Sequence, residues 1–206
     1  MIGVIDYRMG NLRSVQKALE RVGGTSRLVR RPAELARAEK IVLPGVAAFG
    51  DAMDQLKHQG LVEPIVKALG EGTPYLGFCL GLQLLFDVSY EGGEHAGLGV
   101  LPGKVVRFGF EASGGGRRLS VPHMGWNQIV WDAPCPMLAG TANGAYVYFA
   151  HSYHVVPLEE SLTATTTEYG FRFVSSVWRE NIFATQFHPE KSQAVGLRLL
   201  ENFVKL

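Results

Sequence analysis

The chain has 206 residues, 47% hydrophobic and 19% charged, a composition typical of folded globular domains rather than disordered or fibrous chains. Twenty Lys and Arg against nineteen Asp and Glu leave a formal net charge of +1 with no basic stripe, which argues against a nucleic-acid partner. No apolar run approaches the roughly 20 residues that span a bilayer, and Met1-Ile2-Gly3-Val4-Ile5-Asp6 lacks the basic and apolar regions of a secretory signal, so a cytoplasmic protein without a membrane role is expected.

Short apolar runs alternate with helix-period segments through the first half, the pattern of parallel strands with helices packed across them. Ile2-Gly3-Val4-Ile5 reads as the first strand. Asn11 reads as the N-cap of a helix reaching about residue 22, with Leu12, Val15, Ala18, Leu19 and Val22 on one face and Gly23-Gly24 ending it. A strand follows at Arg27-Leu28-Val29, a short helix at Pro32-Ala33-Glu34-Leu35, and a third strand at Lys40-Ile41-Val42-Leu43 running into Pro44-Gly45. Residues 48–70 suggest two helical pieces split at Gly60, residues 73–78 a buried strand and residues 80–86 a buried helix.

Beyond Gly92-Gly93 the segments 105–108, 127–131, 145–149, 153–156 and 173–178 predict antiparallel strands added to the parallel sheet, with Ser113-Gly114-Gly115-Gly116 as a flexible loop. A last strand over 182–187 precedes a helix from about Ser192 to Lys205. The expected fold is one α/β domain covering residues 1–206, a mixed, mostly parallel central sheet flanked by helices with additional antiparallel strands.

Two cysteines are too few for a disulfide framework. Cys79 lies in Gly77-Phe78-Cys79-Leu80-Gly81, the form G-x-C-x-G at a strand-to-helix junction, the thiol counterpart of a nucleophile elbow. There the helix N-terminus would lower the thiol pKa, and the Leu80 N–H would face an oxyanion formed beside the sulfur. The same pentapeptide also fits a buried cysteine under a tight turn. Cys135, between Pro134 and Pro136, lacks such a setting and reads as structural.

His188-Pro189-Glu190 follows the last strand, and an extended chain around Pro189 would point His188 and Glu190 the same way, as a base and its orienting carboxylate. Alone, the tripeptide equally describes a solvated histidine near an unrelated glutamate. Leu43-Pro44-Gly45-Val46-Ala47-Ala48-Phe49-Gly50 can present backbone N–H groups to an anion, or be a plain turn before a helix.

Together with Asp6-Tyr7-Arg8-Met9-Gly10-Asn11, Pro122-His123-Met124-Gly125-Trp126-Asn127 and Tyr148-Phe149-Ala150-His151-Ser152-Tyr153, these motifs resemble the triad (class I) glutamine amidotransferase family nearly end to end. Within it, the Asn11 motif and His-Met-Gly-Trp-Asn resemble the glutaminase subunits that serve a histidine-pathway cyclase. The resemblance implies that Cys79 is the nucleophile, His188 the general base and acid, and Glu190 its orienting carboxylate. By the same resemblance Val46 and Leu80 would donate backbone N–H groups to the oxyanion, and Gly45, Gln83 and the Ser152-Tyr153 backbone would hold L-glutamine. No metal or cofactor is implied. The implied partner is a (β/α)₈-barrel cyclase forming a heterodimer, with Asn11, Trp126, Tyr148 and Lys191 at interface and signalling positions. Ala47 departs from the family's usual Pro-Gly-Val-Gly turn, where a second glycine would ease a peptide flip to positive φ.

Overall fold

The computed structural model describes residues 1–110 and 119–206; the Ser113-Gly114-Gly115-Gly116 segment read as a loop lies outside the described residues. The first strand β1 (Ile2–Ile5) is buried throughout, and helix α1 (Leu12–Arg21) follows with the Asn11 side chain accepting the Ser14 N–H, as an N-cap should. Next come β2 (Ser26–Val29), the short α2 (Pro32–Leu35), β3 (Lys40–Leu43), and the helices α3 (Phe49–His58) and α4 (Val62–Gly70), separated where Gly60 takes a positive φ of 66°. Strand β4 (Tyr75–Phe78) then delivers the chain to Cys79 and helix α5 (Leu80–Gln83).

The buried helix expected over residues 80–86 is a single turn. Leu84 and Leu85 leave it, and β5 (Phe86–Ser89) begins at once, its start fixed where Leu85 O accepts from the Leu101 N–H and Phe86 pairs with Leu101. An all-apolar run satisfies either geometry, and here pairing with a later strand decides. The remaining strands are β6 (His95–Ala96), β7 (Leu101–Arg107), β8 (His123–Gln128), β9 (Tyr146–His151), β10 (Tyr153–Pro157), β11 (Thr163–Glu168), β12 (Arg172–Arg179) and β13 (Ile182–Thr185). Helix α6 (Gln193–Lys205) ends the chain.

The main sheet runs β11-β12-β13-β4-β3-β1-β2. Strands β2, β1, β3, β4 and β13 are parallel, and β12 and β11 add antiparallel at one edge. Of the antiparallel strands expected on this sheet only that over 173–178 joins it, as β12, beside β11, a strand the sequence did not single out. The others lie in a four-stranded sheet β10-β7-β5-β6 and a hairpin ribbon β8-β9. Pairing β8 with β9 closes only the loop between Gln128 and Tyr146, whereas β10 with β7 is a long-range pairing that alternation alone does not specify. The strand expected over 127–131 is accordingly shifted: pairing with β9 covers His123–Gln128, and Val130 makes only an isolated bridge to Thr166.

Helices α3 and α4 pack on one face of the sheet around Phe49, Met53, Leu56 and Ile65, whereas α1 and α6 cover the other around Val15, Leu19, Leu200 and Phe203. Lys40 Nζ reaches from β3 to the Phe203 and Val204 carbonyls at 3.0 and 2.6 Å, putting a cation on the last turn of α6. Cys135 is buried in this second cluster, where desolvation pushes its thiol pKa up, so its role is packing. Among the described residues no helix is long and apolar enough to cross a membrane.

The carboxyl ends of β3, β4 and β13 lie side by side, so the loops after them converge at one edge of the sheet, where α/β folds place their sites. Close approach there depends on glycine: a Cβ on Gly81 would collide with the Leu43 carbonyl oxygen of the neighbouring strand. Since backbone cannot move aside as a flexible side chain can, Gly81→Ala is expected to destabilise the fold by about 3 kcal/mol. Urea unfolding checks this, and a stability within about 1 kcal/mol of the parent would contradict the close packing.

Candidate active site

Cys79 ends β4 and caps α5 with φ 51° and ψ −99°, a conformation that L-residues with a side chain rarely hold. Its N–H donates to Thr185 O on β13 at 2.7 Å, and its own carbonyl accepts from Leu82 and Gln83. Because α5 is one turn, Cys79 precedes free N–H groups rather than a long macrodipole, and the Leu80 N–H has no acceptor among the described residues. Two buried tyrosines brace the elbow and the turn beside it: Tyr75 Oη donates to Gly81 O at 2.7 Å and Tyr7 Oη to Pro44 O at 2.8 Å. Burial raises both phenol pKa values, and both therefore stay protonated as donors.

His188 comes next to this elbow by way of β13. The extended chain expected through Pro189 is not what joins it to Glu190: His188 itself is extended, but Pro189–Lys191 is a 3₁₀ turn. Proline suits the first position of such a turn because no donor is lost there. The turn brings His188 Nδ1 to 2.9 Å from Glu190 Oε1, both side chains being nearly excluded from solvent. A carboxylate can only accept, so Nδ1 carries the hydrogen and a neutral ring keeps its lone pair on Nε2.

That Nε2 is buried and lacks a hydrogen-bond partner. Cys79 is close enough to favour the imidazolium, yet its sulfur is directed elsewhere, to Ala150 O at 3.9 Å, while accepting from Gln186 Nε2 at 3.5 Å. Burial opposes a charge on His188, but Cys79 and Glu190 outweigh it and hold the imidazole above its ordinary range. An imidazole so placed can take up a thiol proton, and the thiolate is the form in which sulfur is a nucleophile. The His188 backbone is also pinned: its N–H donates to Tyr148 O at 2.9 Å, and Ser192 Oγ donates to His188 O at 2.6 Å while accepting the Tyr148 N–H at 3.0 Å.

A pocket of ≈ 260 Å³ opens over the sulfur. Its walls come from α5 (Leu80, Gln83), from the turn after β3 (Val46, Ala47), from Glu91, and from the β9–β10 corner (Ala150, His151, Ser152, Tyr153). Gln83 Nε2 donates to both Tyr153 O and Gln186 Oε1 at 3.1 Å, which leaves its oxygen as the free end of the amide. Glu91 reaches the first turn of α3, where Oε2 accepts the Phe49 N–H at 2.9 Å. A carboxylate and an amide oxygen in a pocket over a nucleophile can receive an ammonium group.

Of the residues singled out in the sequence, the pocket therefore gathers Cys79, Leu80, Val46, Gln83, Ser152 and Tyr153, with His188 near Cys79 and Glu190 on the other ring nitrogen of His188. Gly45 is buried under Val46, packed so tightly on Tyr7 and Leu80 that a Cβ would collide with the tyrosine hydroxyl. The Tyr153 carbonyl is taken by Gln83 and by His151 Nδ1 at 2.8 Å, so it acts through Gln83. Ala47 does not have a positive φ.

Three of the four candidate interface residues form one stack, with Lys191 Nζ 5.7 Å from the Tyr148 ring centroid and Trp126 edge-on to the same ring at 6.0 Å. Asn11 sits apart as the cap of α1, which packs beside the Pro189–Lys191 turn. Gln186, Glu91, Tyr7, Tyr75 and His151 carry polar contacts here that spacing alone did not single out. Among the described residues no group of three His, Cys, Asp or Glu side chains converges as a metal site needs.

Comparison with known proteins agrees with this geometry. Residues 3–206 match the family model described as glutamine amidotransferase class-I. Among curated proteins the chain is 57% identical to "Imidazole glycerol phosphate synthase subunit HisH" of Syntrophotalea carbinolica over 98% of each chain. It is 52% identical to the protein of the same name from Geobacter sulfurreducens over 98% of this chain and 97% of that one. Solved structures share the fold at low identity. One titled "Crystal structure of glutamine amidotransferase" superposes with a TM-score of 0.75 at 20% identity, covering 100% of this chain and 99% of the other. "Structure of PurLQS from Thermotoga maritima" gives 0.76 at 19%, covering 99% and 97%. With the family model spanning nearly the whole chain and a cysteine elbow beside a His–Glu pair, this protein belongs to the class-I glutamine amidotransferases.

Proposed function

We propose that the chain is the glutaminase subunit of imidazole glycerol phosphate synthase and that Cys79, His188 and Glu190 are its catalytic triad. The observation that carries the reading is Cys79 on its strained elbow next to an imidazole whose other nitrogen is held by a buried carboxylate. Identities of 57% and 52% to two subunits of that name support the choice of synthase.

In this mechanism the Cys79 thiolate attacks the side-chain amide carbon of glutamine, and the carbonyl oxygen becomes an oxyanion received by the Leu80 and Val46 N–H groups. Collapse of the tetrahedral species breaks the C–N bond, His188 gives its proton to the departing nitrogen, and ammonia leaves a γ-glutamyl thioester. Water, deprotonated by His188, then attacks the thioester, and glutamate departs as the thiolate is restored. Glu190 keeps the proton on Nδ1 throughout, so that Nε2 does the transfer. Gln83 and Glu91 receive the α-ammonium of glutamine, and the Ser152-Tyr153 strand lines the far end of the pocket.

Ammonia in bulk water is protonated and loses its lone pair, so it must pass directly to an acceptor. The partner is a (β/α)₈-barrel cyclase, bound as a heterodimer over Trp126, Tyr148, Lys191 and Asn11. It uses the ammonia on a ribulosyl phosphate intermediate of histidine biosynthesis, giving imidazole glycerol phosphate and aminoimidazole carboxamide ribotide.

Glutamate release measured with the chain alone, with the cyclase, and with the cyclase plus its ribulosyl phosphate substrate tests the assignment. Stimulation by the cyclase and silence of the Cys79→Ala complex are expected; no stimulation would overturn the choice of partner. Glu190→Gln offers a donor to Nδ1 and so favours the wrong tautomer, which is expected to lower kcat by about a thousandfold with a modest change in KM. Retention of more than about a tenth of the activity would remove Glu190 from the triad. At Ala47, positive φ costs about 1 kcal/mol more than for glycine, so Ala47→Gly is expected to raise basal glutaminase several-fold and shrink the stimulation by the cyclase. Equal basal and stimulated rates in parent and variant would exclude a flip at this turn.

A further inference from the structure

Two buried histidines, His123 on β8 and His151 at the end of β9, take no part in the proposed mechanism, yet every polar atom between them is satisfied in one direction. Tyr153 O can only accept, so at 2.8 Å it requires the hydrogen of His151 on Nδ1. In a neutral ring His151 Nε2 is then an acceptor, and His123 Nδ1, 3.0 Å away, must donate to it. His123 Nε2 is left to accept, and Asn127 Nδ2 lies at 3.3 Å. The Asn127 amide cannot be reversed, because its Oδ1 accepts the Gln128 N–H at 2.8 Å and its Nδ2 also donates to Glu168 O at 2.9 Å. The chain of donors thus runs from Asn127 through His123 and His151 to the Tyr153 carbonyl.

That carbonyl is also an acceptor for Gln83, whose second amide hydrogen goes to Gln186 Oε1. Gln186 in turn donates to the Cys79 sulfur. We propose that Asn127, His123 and His151 form a relay of neutral imidazoles that fixes the Tyr153 carbonyl, and through it the Gln83 amide, for glutamine binding. His123 is thereby a positioning residue lying outside the pocket. The proposal rests on the glutaminase reading for its substrate, but the hydrogen-bond direction stands independently of it.

A proton added to either ring would set two donors against each other, at Asn127 for His123 or at His123 for His151. The surroundings resist that proton. Phe108, Phe149 and Phe173 pack around the pair, Tyr169 stacks on His123 at 4.0 Å, and the other titratable groups facing it are His154 from β10 and His188 after β13. Burial lowers His123 to about 4, and His151 to about 3 with repulsion from His123, His154 and His188 adding to it. The relay therefore stays neutral throughout the working range of an enzyme.

The test has two arms on the full chain. Nitrogen NMR of histidine-labelled protein should show both rings neutral with the hydrogen on Nδ1 from pH 8 to pH 6; an Nε2–H tautomer, or titration of either ring in that interval, overturns the relay. In the complex with the cyclase, His123→Leu strands the His151 acceptor and should raise the glutamine KM about tenfold while kcat falls less. His123→Asn keeps a donor near the Nδ1 position and should restore KM to within about threefold of the parent. Asn127→Ala, which leaves the buried pair in place, should shift KM the same way by a smaller factor and serves if His123→Leu does not fold. An unchanged KM, or equal losses in kcat and kcat/KM, overturns the positioning role. A parent complex without glutaminase activity would instead overturn the functional reading, and the NMR arm would still decide the relay.

Discussion

The backbone of Cys79 is the constraint around which the site is built. A positive φ on a residue with a side chain costs about 1–3 kcal/mol, and only surroundings that over-determine it can hold it there. Two strands and a helix do so. The Cys79 N–H is tied to Thr185 on β13, its carbonyl receives two N–H groups of α5, and Gly81 lets that helix press against the Leu43 carbonyl of β3. With the elbow held so, Cys79 borders the pocket and the Leu80 N–H next to it has no acceptor among the described residues.

Around this elbow the buried polar atoms form a connected set in which each donor has a defined acceptor. Tyr75 and Tyr7 hold Gly81 and Pro44, Gln83 bridges Tyr153 and Gln186, and Gln186 reaches the sulfur. In a low-dielectric interior such a network fixes orientations that isolated side chains would sample. The exception is His188 Nε2, buried and unpartnered, with the second Glu190 oxygen in the same condition. A buried polar atom without a partner is expensive in a folded core and marks a place where chemistry can use it. Here it is the nitrogen proposed to exchange a proton with a departing or arriving group.

The parallel half of the fold was legible in the sequence because each element there carries its own local signal: the Asn11 cap with its helical stripe, the Pro32 start, Gly60 between two helices, and apolar strands bounded by turns. The second half was less so. Where Leu80 to Phe86 offers an unbroken apolar run, nothing local decides between helix and strand, and contacts with Leu98 and Leu101 settle it from outside the segment. Which sheet a strand joins is likewise a matter of long-range pairing, invisible to alternation alone. The Cys79 elbow could be read from its pentapeptide because its geometry is local. The His188–Glu190 contact survived a wrong local geometry, since a 3₁₀ turn and an extended chain both bring residues two apart within reach of a 2.9 Å bond. Gln186 and Glu91 were not legible as site residues because their roles depend on partners far along the chain, Cys79 and Phe49.

The pocket mouth explains why such a site would need a second protein. Val46 is 59% exposed and Met124 65%, and both border the pocket, while Trp126 is 46% exposed one residue beyond Gly125 on the same strand. Apolar side chains left in water at the rim of a polar cavity favour a cover, since burying them is stabilising at about 25 cal/mol per Å². Val46 belongs to the turn proposed to receive the oxyanion, and Trp126 precedes Asn127 at the head of the histidine chain. One covering surface would therefore bear at once on the turn proposed to receive the oxyanion and on the head of the histidine chain. The chain's own packing thus sets the proposed nucleophile and base, and leaves to the docking face the parts whose position would set when they work.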